Sequence, residues 1–253
     1  MVRRIGIYVF YDSKGLVGKY VEKLLTDLSV VFNKLIIVVN GKIEKKELIK
    51  LENFSNQIHI RDNIGFDAGA YKDLFLKYYS KDYWIDWDEI ILINNSFYGT
   101  FYSWESIFNE MQTTDVDFWG LSEYTSGGTT LGDDIEISNH VQSYFIVLRK
   151  SILEKKEFFE FWINMKYPEN FRQAVKEFEI RFSLYFQELG CCYTTWLKKQ
   201  NFDLILNKGE TVYSKYPIEL IENYKFPILK KKSLYKRDFI DAIEISKSFA
   251  NVS

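Results

Sequence analysis

The chain has 253 residues, and its 33 lysines and arginines against 35 aspartates and glutamates give a net charge of −2. Because this balance provides no broad basic field, a general nucleic-acid-binding function is disfavoured. Thirteen glycines and three prolines are too few for a collagenous, low-complexity or linker-dominated chain, so we expect a globular protein with one large α/β domain.

Strands and helices alternate from the start of the chain. Residues 5–10 (IGIYVF) and 35–39 (LIIVV) are continuous apolar runs, which are typical of strands covered on both faces. Between them, apolar residues recur at helical spacing from Val17 to Leu28, and a mostly polar surface helix is predicted for about 44–52. A short strand at 58–60 then leads into a segment with two glycines.

The alternation continues through the middle of the chain. Apolar residues between Tyr71 and Tyr78 mark the inner face of a helix, and 89–93 is a further buried strand. A helix at 104–111 and a strand at 117–121 follow. Residues 122–139 form a polar loop, and a loop of this length inside a domain is usually functional.

The last third of the chain begins with the same pattern and then loses it. A strand is predicted at 142–149 and a helix at 151–164. A final helix, closed by Gly190, has its inner face at Val175, Phe178, Phe182, Phe186 and Leu189. Beyond residue 200 the tail is predicted to be irregular, with a basic stretch at 230–232 and 236–237.

This order predicts an α/β fold with a mainly parallel sheet and helices on both faces, in one domain of residues 1–253. The first apolar run, of about five residues, is too short for a signal sequence, and no segment approaches the roughly 18 apolar residues of a membrane span. The adjacent Cys191 and Cys192 indicate a reducing compartment. We therefore expect a cytoplasmic protein.

Ligands of open α/β sheets bind beyond the carboxyl ends of the strands. The residues that follow the predicted strands are therefore the candidate site. They are Tyr11 and Asp12, Asn40, 61–67, 94–96, and Ser122 with Glu123.

The segment at 61–72 (RDNIGFDAGAYK) is the most informative of these. Gly65 and Gly69 stand where a strand turns into a helix, which permits either a tight turn or the close approach of a ligand to the backbone. Asp67 is placed to cap the helix that follows. The spacing fits neither a Walker loop nor the dinucleotide fingerprint. From its spacing alone, the segment is equally well interpreted as a purely structural turn or as a ligand site.

Asn94, Asn95 and Ser96 directly follow a buried strand. They form either a polar turn or a contact to a nucleotide diphosphate and its metal. Because carboxylates are absent here, a divalent ion would be held weakly.

Glu179 and His140 are the candidates for proton transfer. Glu179 lies at the edge of a buried aromatic face, where a raised pKa would suit a base, although spacing alone favours an ordinary boundary glutamate. His140 precedes a strand and is more often structural than catalytic in such a position. The basic stretch of the tail is predicted to be a solvated face or a contact to anionic lipid headgroups.

Several segments resemble the rhamnan synthesis protein F family, bacterial glycosyltransferases of cell-surface polysaccharide assembly. The most specific are NIGFDAGAYK at 63–72 and HVQSYF at 140–145, and the matches cover most of residues 5–195 in the family's order. The resemblance implies a GT-A-like fold. It implies transfer of a sugar, usually L-rhamnose, from a dTDP-activated donor to a lipid-linked or growing glycan. We expect residues 1–121 to form the donor half and 122–253 the acceptor half.

The resemblance also implies roles for individual residues. Glu179 matches the helix that carries the catalytic base, and Asn95 stands where GT-A enzymes have a metal-binding D-x-D motif, so Mg²⁺ or Mn²⁺ is an expected but weakly held cofactor. The donor side is assigned to Tyr11, Asp12, Asn40, Asn63, Gly65, Asp67, Gly69, Lys72, Asn94, Asn95 and Ser96. The acceptor side is assigned to Trp119, Glu123, His140, Gln142 and Tyr144, with the loop at 122–139 closing over it.

An inverting rhamnosyltransferase or related hexosyltransferase, acting at the inner face of the cell membrane, is therefore the favoured hypothesis. In it a carboxylate takes the acceptor proton while amide N–H groups, Lys72 and a metal stabilise the leaving diphosphate. The alternative is a non-catalytic module that binds a nucleotide-sugar or glycan. This alternative is favoured by the asparagines at positions 94 and 95, where an acidic pair is missing. A nucleotidyltransferase is disfavoured, because YDSKGLVGK at 11–19 is a poor Gly-rich basic loop.

Overall fold

A seven-stranded sheet forms the centre of the protein in the computed structural model, which describes residues 2–125, 138–206 and 210–234. The strands that the structure describes are β1 Arg4–Phe10, β2 Lys34–Asn40, β3 Ile58–Arg61, β4 Glu89–Asn94, β5 Phe97–Gly99, β6 Phe118–Gly120, β7 Glu123–Tyr124, β8 His140–Val141, β9 Phe145–Arg149, β10 Tyr193–Thr195 and β11 Ile228–Lys230. The sheet has the order β10-β6-β9-β4-β1-β2-β3.

The sheet is mainly parallel, as predicted. β1 pairs in parallel with β2 and β4, β2 with β3, and β6 with β10. Only β9 runs antiparallel to its sheet neighbours β4 and β6. Strands from both halves of the chain thus share one sheet.

Helices cover both faces of this sheet. Those described are α1 Lys19–Leu28, α2 Lys45–Glu52, α3 Phe66–Asp73, α4 Lys81–Ile85, α5 Trp104–Gln112, α6 Lys150–Leu153, α7 Lys156–Asn164, α8 Phe171–Ala174, α9 Arg181–Glu188, α10 Trp196–Lys199, α11 Val212–Lys215, α12 Pro217–Glu222 and α13 Lys231–Leu234. Two π-helical stretches, π1 Leu74–Tyr78 and π2 Val175–Ile180, continue α3 and connect α8 with α9. No helix in the described ranges is long and apolar enough to cross a bilayer.

The core lies on both sides of β1 because its side chains alternate. Tyr8 and Phe10 belong to the cluster that also contains α1 and α5 residues, whereas Ile5 and Ile7 belong to the cluster with α3, α7 and α9 residues. Burial on both faces explains why β1 and β2 are apolar at nearly every position.

The structure corrects several predicted elements. The helix expected at 151–164 is divided into α6 and α7, and the strand expected at 142–149 begins at Phe145. Leu189, expected on a buried face, is 38% exposed. The tail, expected to be irregular, contains α11, α12, β11 and α13, and β11 pairs antiparallel with β5. Most of the predicted loop at 122–139 lies outside the described residues.

Candidate functional site

A cavity of about 510 Å³ opens at the carboxyl ends of β1, β2 and β4. Its wall brings together many residues predicted from sequence, namely Tyr11, Asn40, Asn63, Asp67, Asn94, Asn95, Ser96, His140, Gln142, Tyr144 and Glu179. It also contains residues that the sequence analysis did not assign, among them Ser143, Tyr213, Lys230, Lys231 and Lys232. The Gly-containing turn and the asparagine pair therefore face one common space.

The turn between β3 and α3 has a left-handed backbone at two consecutive residues. Gly65 has φ 76° and Phe66 has φ 56°. A Cβ at Gly69 would lie 2.2 Å from the carbonyl oxygen of Ile64, so the turn packs directly on the first turn of the helix. Neither glycine lines the cavity. Both shape the backbone of the turn, and their assignment to the donor side stays a prediction.

Asn40 fixes this turn from the end of β2. Its Nδ2 donates to the carbonyl of Phe66 at 2.9 Å, and its Oδ1 accepts from Arg61 Nη1 at 2.7 Å. Because both amide atoms are occupied, Asn40 holds the turn in place. By contrast, the Oδ1 of Asn63 is buried and has no hydrogen-bond partner within the described ranges, although Asn63 itself lines the cavity.

Asn94 and Asn95 perform two different tasks at the end of β4. Asn95 Nδ2 donates to the carbonyl of Tyr11 at 2.8 Å, and its Oδ1 accepts from the Tyr11 amide at 3.3 Å, so this side chain joins β4 to the end of β1. Asn94 Nδ2 donates to Asp67 Oδ2 at 2.6 Å, and its Oδ1 accepts from Ser96. Both amide oxygens thus already accept hydrogen bonds from the protein.

The two carboxylates of the cavity lie on either side of Ser143. Ser143 Oγ donates to Glu179 Oε1 at 2.6 Å and lies 3.5 Å from Asp67 Oδ2. The Ser143 amide adds a hydrogen bond to Glu179 Oε1 at 3.3 Å, and His140 Nε2 lies 3.5 Å from Glu179 Oε2. Glu179 is thus held by three groups, with its side chain 18% exposed.

These contacts separate the pKa values of the two carboxylates. Desolvation raises the pKa of both, but for Glu179 it is outweighed by His140, by Ser143 and by the charge of Lys230, which leave the pKa below its ordinary value. For Asp67 desolvation dominates, and Glu179 adds repulsion, so its pKa is raised despite the hydrogen bond from Asn94. The pKa of Glu179 is therefore lowered and that of Asp67 raised, whereas the sequence analysis expected a raised pKa for Glu179.

Three consecutive lysines reach the cavity from the C-terminal segment. Lys230 is only 6% exposed, donates to Ser96 Oγ at 2.6 Å and lies 4.0 Å from the ring centroid of Tyr144. Burial, reinforced by Lys232, lowers its pKa to about 7. Lys231 donates to the Tyr20 hydroxyl at 2.7 Å, and desolvation lowers its pKa to about 8. The sequence analysis placed these lysines on a solvated or lipid-facing surface, which is wrong for Lys230.

Some assigned residues lie away from the cavity wall. Lys72 points to the carbonyls of Ile163 and Met165, and Asp12 Oδ1 accepts from the amides of Lys14 and Leu16 in a local turn. On the acceptor side, Trp119 is fully buried in the core, and Glu123 pairs with Lys198 at 2.7 Å.

Within the described ranges, the donor set does not fit a resident divalent ion. In residues 2–125, 138–206 and 210–234 no group of three or more His, Cys, Asp or Glu side chains could hold one. At the position expected for the metal, the amide oxygens of Asn94 and Asn95 are occupied, and an ammonium group lies against Ser96.

The profile of a family described as rhamnan synthesis protein F matches residues 35–251 of the chain. A curated relative, the uncharacterized protein y4gN of Sinorhizobium fredii (strain NBRC 101917 / NGR234), is 23% identical over 189 residues. That match covers 74% of this chain but 46% of the relative, so the chain spans less than half of the relative's length.

Three solved structures are similar to this chain at low identity. A protein of Desulfovibrio desulfuricans G20 assigned as a nucleotide-diphospho-sugar transferase is 12% identical, covers 89% of this chain and 96% of its own, and has a TM-score of 0.41. Core-mannan synthase A of Aspergillus fumigatus, in an Mn/GDP form, is 8% identical over 68% of both chains with a TM-score of 0.38. Glucosyl-3-phosphoglycerate synthase of Mycobacterium tuberculosis, with Mn²⁺, UDP and glucosyl-3-phosphoglycerate, is 10% identical over 59% of this chain and 58% of its own, with a TM-score of 0.34.

Likeness at this level carries no argument about substrate.

Proposed function

The chain belongs to the rhamnan synthesis protein F family, and from that premise we propose that it is a glycosyltransferase that moves a sugar from a nucleotide-diphosphate donor to a glycan acceptor. One observation carries the proposal. An ionised carboxylate, Glu179, shares a cavity at the carboxyl ends of the parallel strands with the polar side chains of Asn63 and Ser143 and with a buried lysine. Such crevices are where open α/β sheets bind their ligands.

In the proposed reaction the acceptor hydroxyl oxygen bonds to the anomeric carbon of the donor sugar. The bond from that carbon to the diphosphate oxygen breaks, and its electron pair leaves with the nucleoside diphosphate. The hydroxyl proton passes to the Glu179 carboxylate, which Ser143 and His140 orient. One displacement with one base and no covalent intermediate gives inversion at the anomeric carbon. No step is derived through a metal, because the donor set does not fit one.

The finer proposal is that the donor is dTDP-L-rhamnose and that the acceptor is a lipid-linked or growing cell-surface glycan at the inner face of the membrane. Membership of the rhamnan synthesis protein F family supports L-rhamnose as the sugar that is transferred. Tyr11, 47% exposed at the cavity wall, offers an aromatic face for the base of the nucleotide. Phe171 lines the cavity and is 67% exposed, which supports an acceptor with an apolar part.

The test is Glu179→Gln, with Glu177→Gln as the matched control on the same π-helical stretch. Glu177 pairs with Arg181 at 3.2 Å and does not line the cavity. We expect Glu179→Gln to lower sugar transfer by about 10²–10⁴-fold, measured across a panel of nucleotide sugars and acceptors, because a positioned general base contributes about this much. Nucleoside diphosphate binding, measured by calorimetry, should not weaken.

Glu177→Gln should transfer at the wild-type rate. Retention of more than a tenth of the activity in Glu179→Gln would exclude Glu179 as the base. Binding of nucleotide-sugars by the wild type without any turnover would favour the alternative, a non-catalytic binding module.

A further inference from the structure

A lysine occupies the place at the asparagine pair where the family resemblance led us to expect a metal. β11 pairs with β5 so that Lys230 lies opposite Phe97, and this register directs the Lys230 side chain to Ser96 at the end of β4. The amide of Lys231 adds a hydrogen bond to the Ser96 carbonyl at 3.1 Å. The charged group is therefore fixed by a strand pairing rather than carried on a free tail.

We propose that Lys230, supported by Lys231 and Lys232, binds the diphosphate of the donor and supplies the positive charge for its departure in place of a divalent cation. This inference rests on the proposed function and adds to it the means of stabilising the leaving group. All three lysines line the cavity, and Lys230 is nine-tenths buried.

A buried ammonium is stabilised by an anionic partner in direct contact. The carboxylates of the cavity act on Lys230 only from a distance. Among the described residues, Lys230 has one hydrogen bond to a neutral hydroxyl, Ser96 Oγ, and contacts with the faces of the Tyr144 and Tyr213 rings. Asp67 and Glu179 attract it from a distance, whereas Lys232 and Lys231 repel it. Three lysines line this space with two carboxylates, and three cationic side chains close together suit an anionic ligand such as a diphosphate.

The same geometry explains why a metal is unnecessary. As the sugar–oxygen bond breaks, negative charge grows on the departing diphosphate, and a cation held in place at the cavity wall stabilises it without reorganisation. Ser96 links Lys230 to Asn94 and through it to Asp67, so the ammonium is held in a continuous hydrogen-bonded network with the wall.

The experiment measures binding of dTDP, UDP and GDP by calorimetry, first in EDTA and then with Mg²⁺ or Mn²⁺. The Kd values of the corresponding nucleoside monophosphates are measured as well, because these ligands lack the second phosphate. Lys230→Met removes the charge at similar volume, and Lys230→Arg retains it. Lys199→Met is the control, because the Lys199 ammonium also donates hydrogen bonds, to the Glu110 carbonyl and the hydroxyls of Thr113 and Thr114, but lies outside the cavity.

We expect one nucleoside diphosphate to bind in EDTA, with Kd changed less than about threefold by either metal. Lys230→Met should weaken that binding by about 30-fold or more, since a buried charge pair loses a partner, and should leave the monophosphate nearly unchanged. Lys199→Met should bind as wild type does. Thermal unfolding of each variant reports whether it is folded.

The pH dependence gives a second readout. Lys230 faces Asp67 of α3, Glu179 of π2, Tyr144 beside β9, Tyr213 of α11, and Lys231 and Lys232 of α13. With a pKa of about 7, Lys230 loses its proton as the pH rises from 6 to 8.5, so wild-type affinity should fall relative to that of Lys230→Arg, which stays charged. The ratio of the two Kd values cancels the titration of the phosphate itself.

Binding that requires Mg²⁺ or Mn²⁺, or that is unaffected by Lys230→Met, would overturn this inference and leave the proposed function standing. Failure of every nucleoside diphosphate to bind, with or without metal, would overturn both.

Discussion

At the scale of single residues, the site depends on two neighbouring carboxylates with opposite tendencies. Asp67 and Glu179 both approach Ser143, but the single hydroxyl proton of Ser143 is donated to Glu179 at 2.6 Å. Glu179 also gains His140 and the charge of Lys230, so it stays ionised, whereas the pKa of Asp67 is raised. Pairs of titratable groups whose pKa values are pushed apart are a mark of acid–base assignment.

Ser143→Ala tests this control of Glu179. Loss of a hydrogen bond to the ionised form raises the pKa of Glu179, so the acid limb of kcat/KM should move to higher pH. Transfer at neutral pH should fall about tenfold, because the carboxylate is less well oriented. The measurement is a pH profile of kcat/KM, and an unshifted acid limb would show that Ser143 has only a structural role.

At the scale of elements, two irregular segments shape the cavity. In the continuous run from α8 through π2 to α9, Phe171, Val175 and Glu179 face the cavity, whereas Phe178, Phe182 and Phe186 are buried in the core. The run thus presents one face to the core and another to the site, and π-helical turns are frequent at functional sites. The turn from β3 into α3 is the second irregular segment, and it brings Asp67 to the wall.

Gly69→Ala tests the second segment. The added Cβ would meet a backbone oxygen at 2.2 Å, so the turn or helix must shift. We expect a loss of about 2–3 kcal/mol in the free energy of unfolding, measured with denaturant, which exceeds the ~1 kcal/mol that Ala gains over Gly in a helix. Gly190→Ala is the comparison. It has a positive φ of 79° but nothing within 4 Å of the added Cβ, so only about 1 kcal/mol should be lost.

At the scale of the whole molecule, segments from the first half, the second half and the C-terminal part of the chain meet at the cavity. β1, β2 and β4 from the first half provide the strand ends, π2 from the second half provides Glu179, and the segment from α11 to α13 provides Tyr213 and the lysines. A ligand in this cavity contacts segments separated by more than half of the sequence. Its binding is therefore coupled to global unfolding.

Thermal unfolding measures this coupling. A nucleoside diphosphate at one hundred times its Kd should stabilise the native state by about 2.7 kcal/mol. For a chain of this size each kcal/mol corresponds to about 2–4 °C, so the melting temperature should rise by about 5–10 °C. The corresponding nucleoside at the same concentration is the control. Equal shifts for the two would show that the phosphates make no contact in the cavity.

The sequence by itself determined the elements and the edge of the sheet at which to look. Continuous apolar runs predicted β1, β2 and β4, because strands buried on both faces need apolar residues at every position. Since parallel strands end at one edge, the residues following them, from Tyr11 to Ser96, were predicted to be neighbours, and the wall of the cavity brings most of them together. Family motifs then identified Glu179 as the base candidate.

Only the tertiary structure decided what those residues contact. Local spacing cannot tell that Lys72 turns away to the carbonyls of Ile163 and Met165, or that Asn95 is used to join β1 and β4. Nor can it tell that Lys230 returns to Ser96, 134 positions away, through the pairing of β11 with β5. The pKa of Glu179 was likewise expected to be raised, because its local sequence suggests desolvation. In the structure it is lowered, because partners distant in sequence outweigh that desolvation.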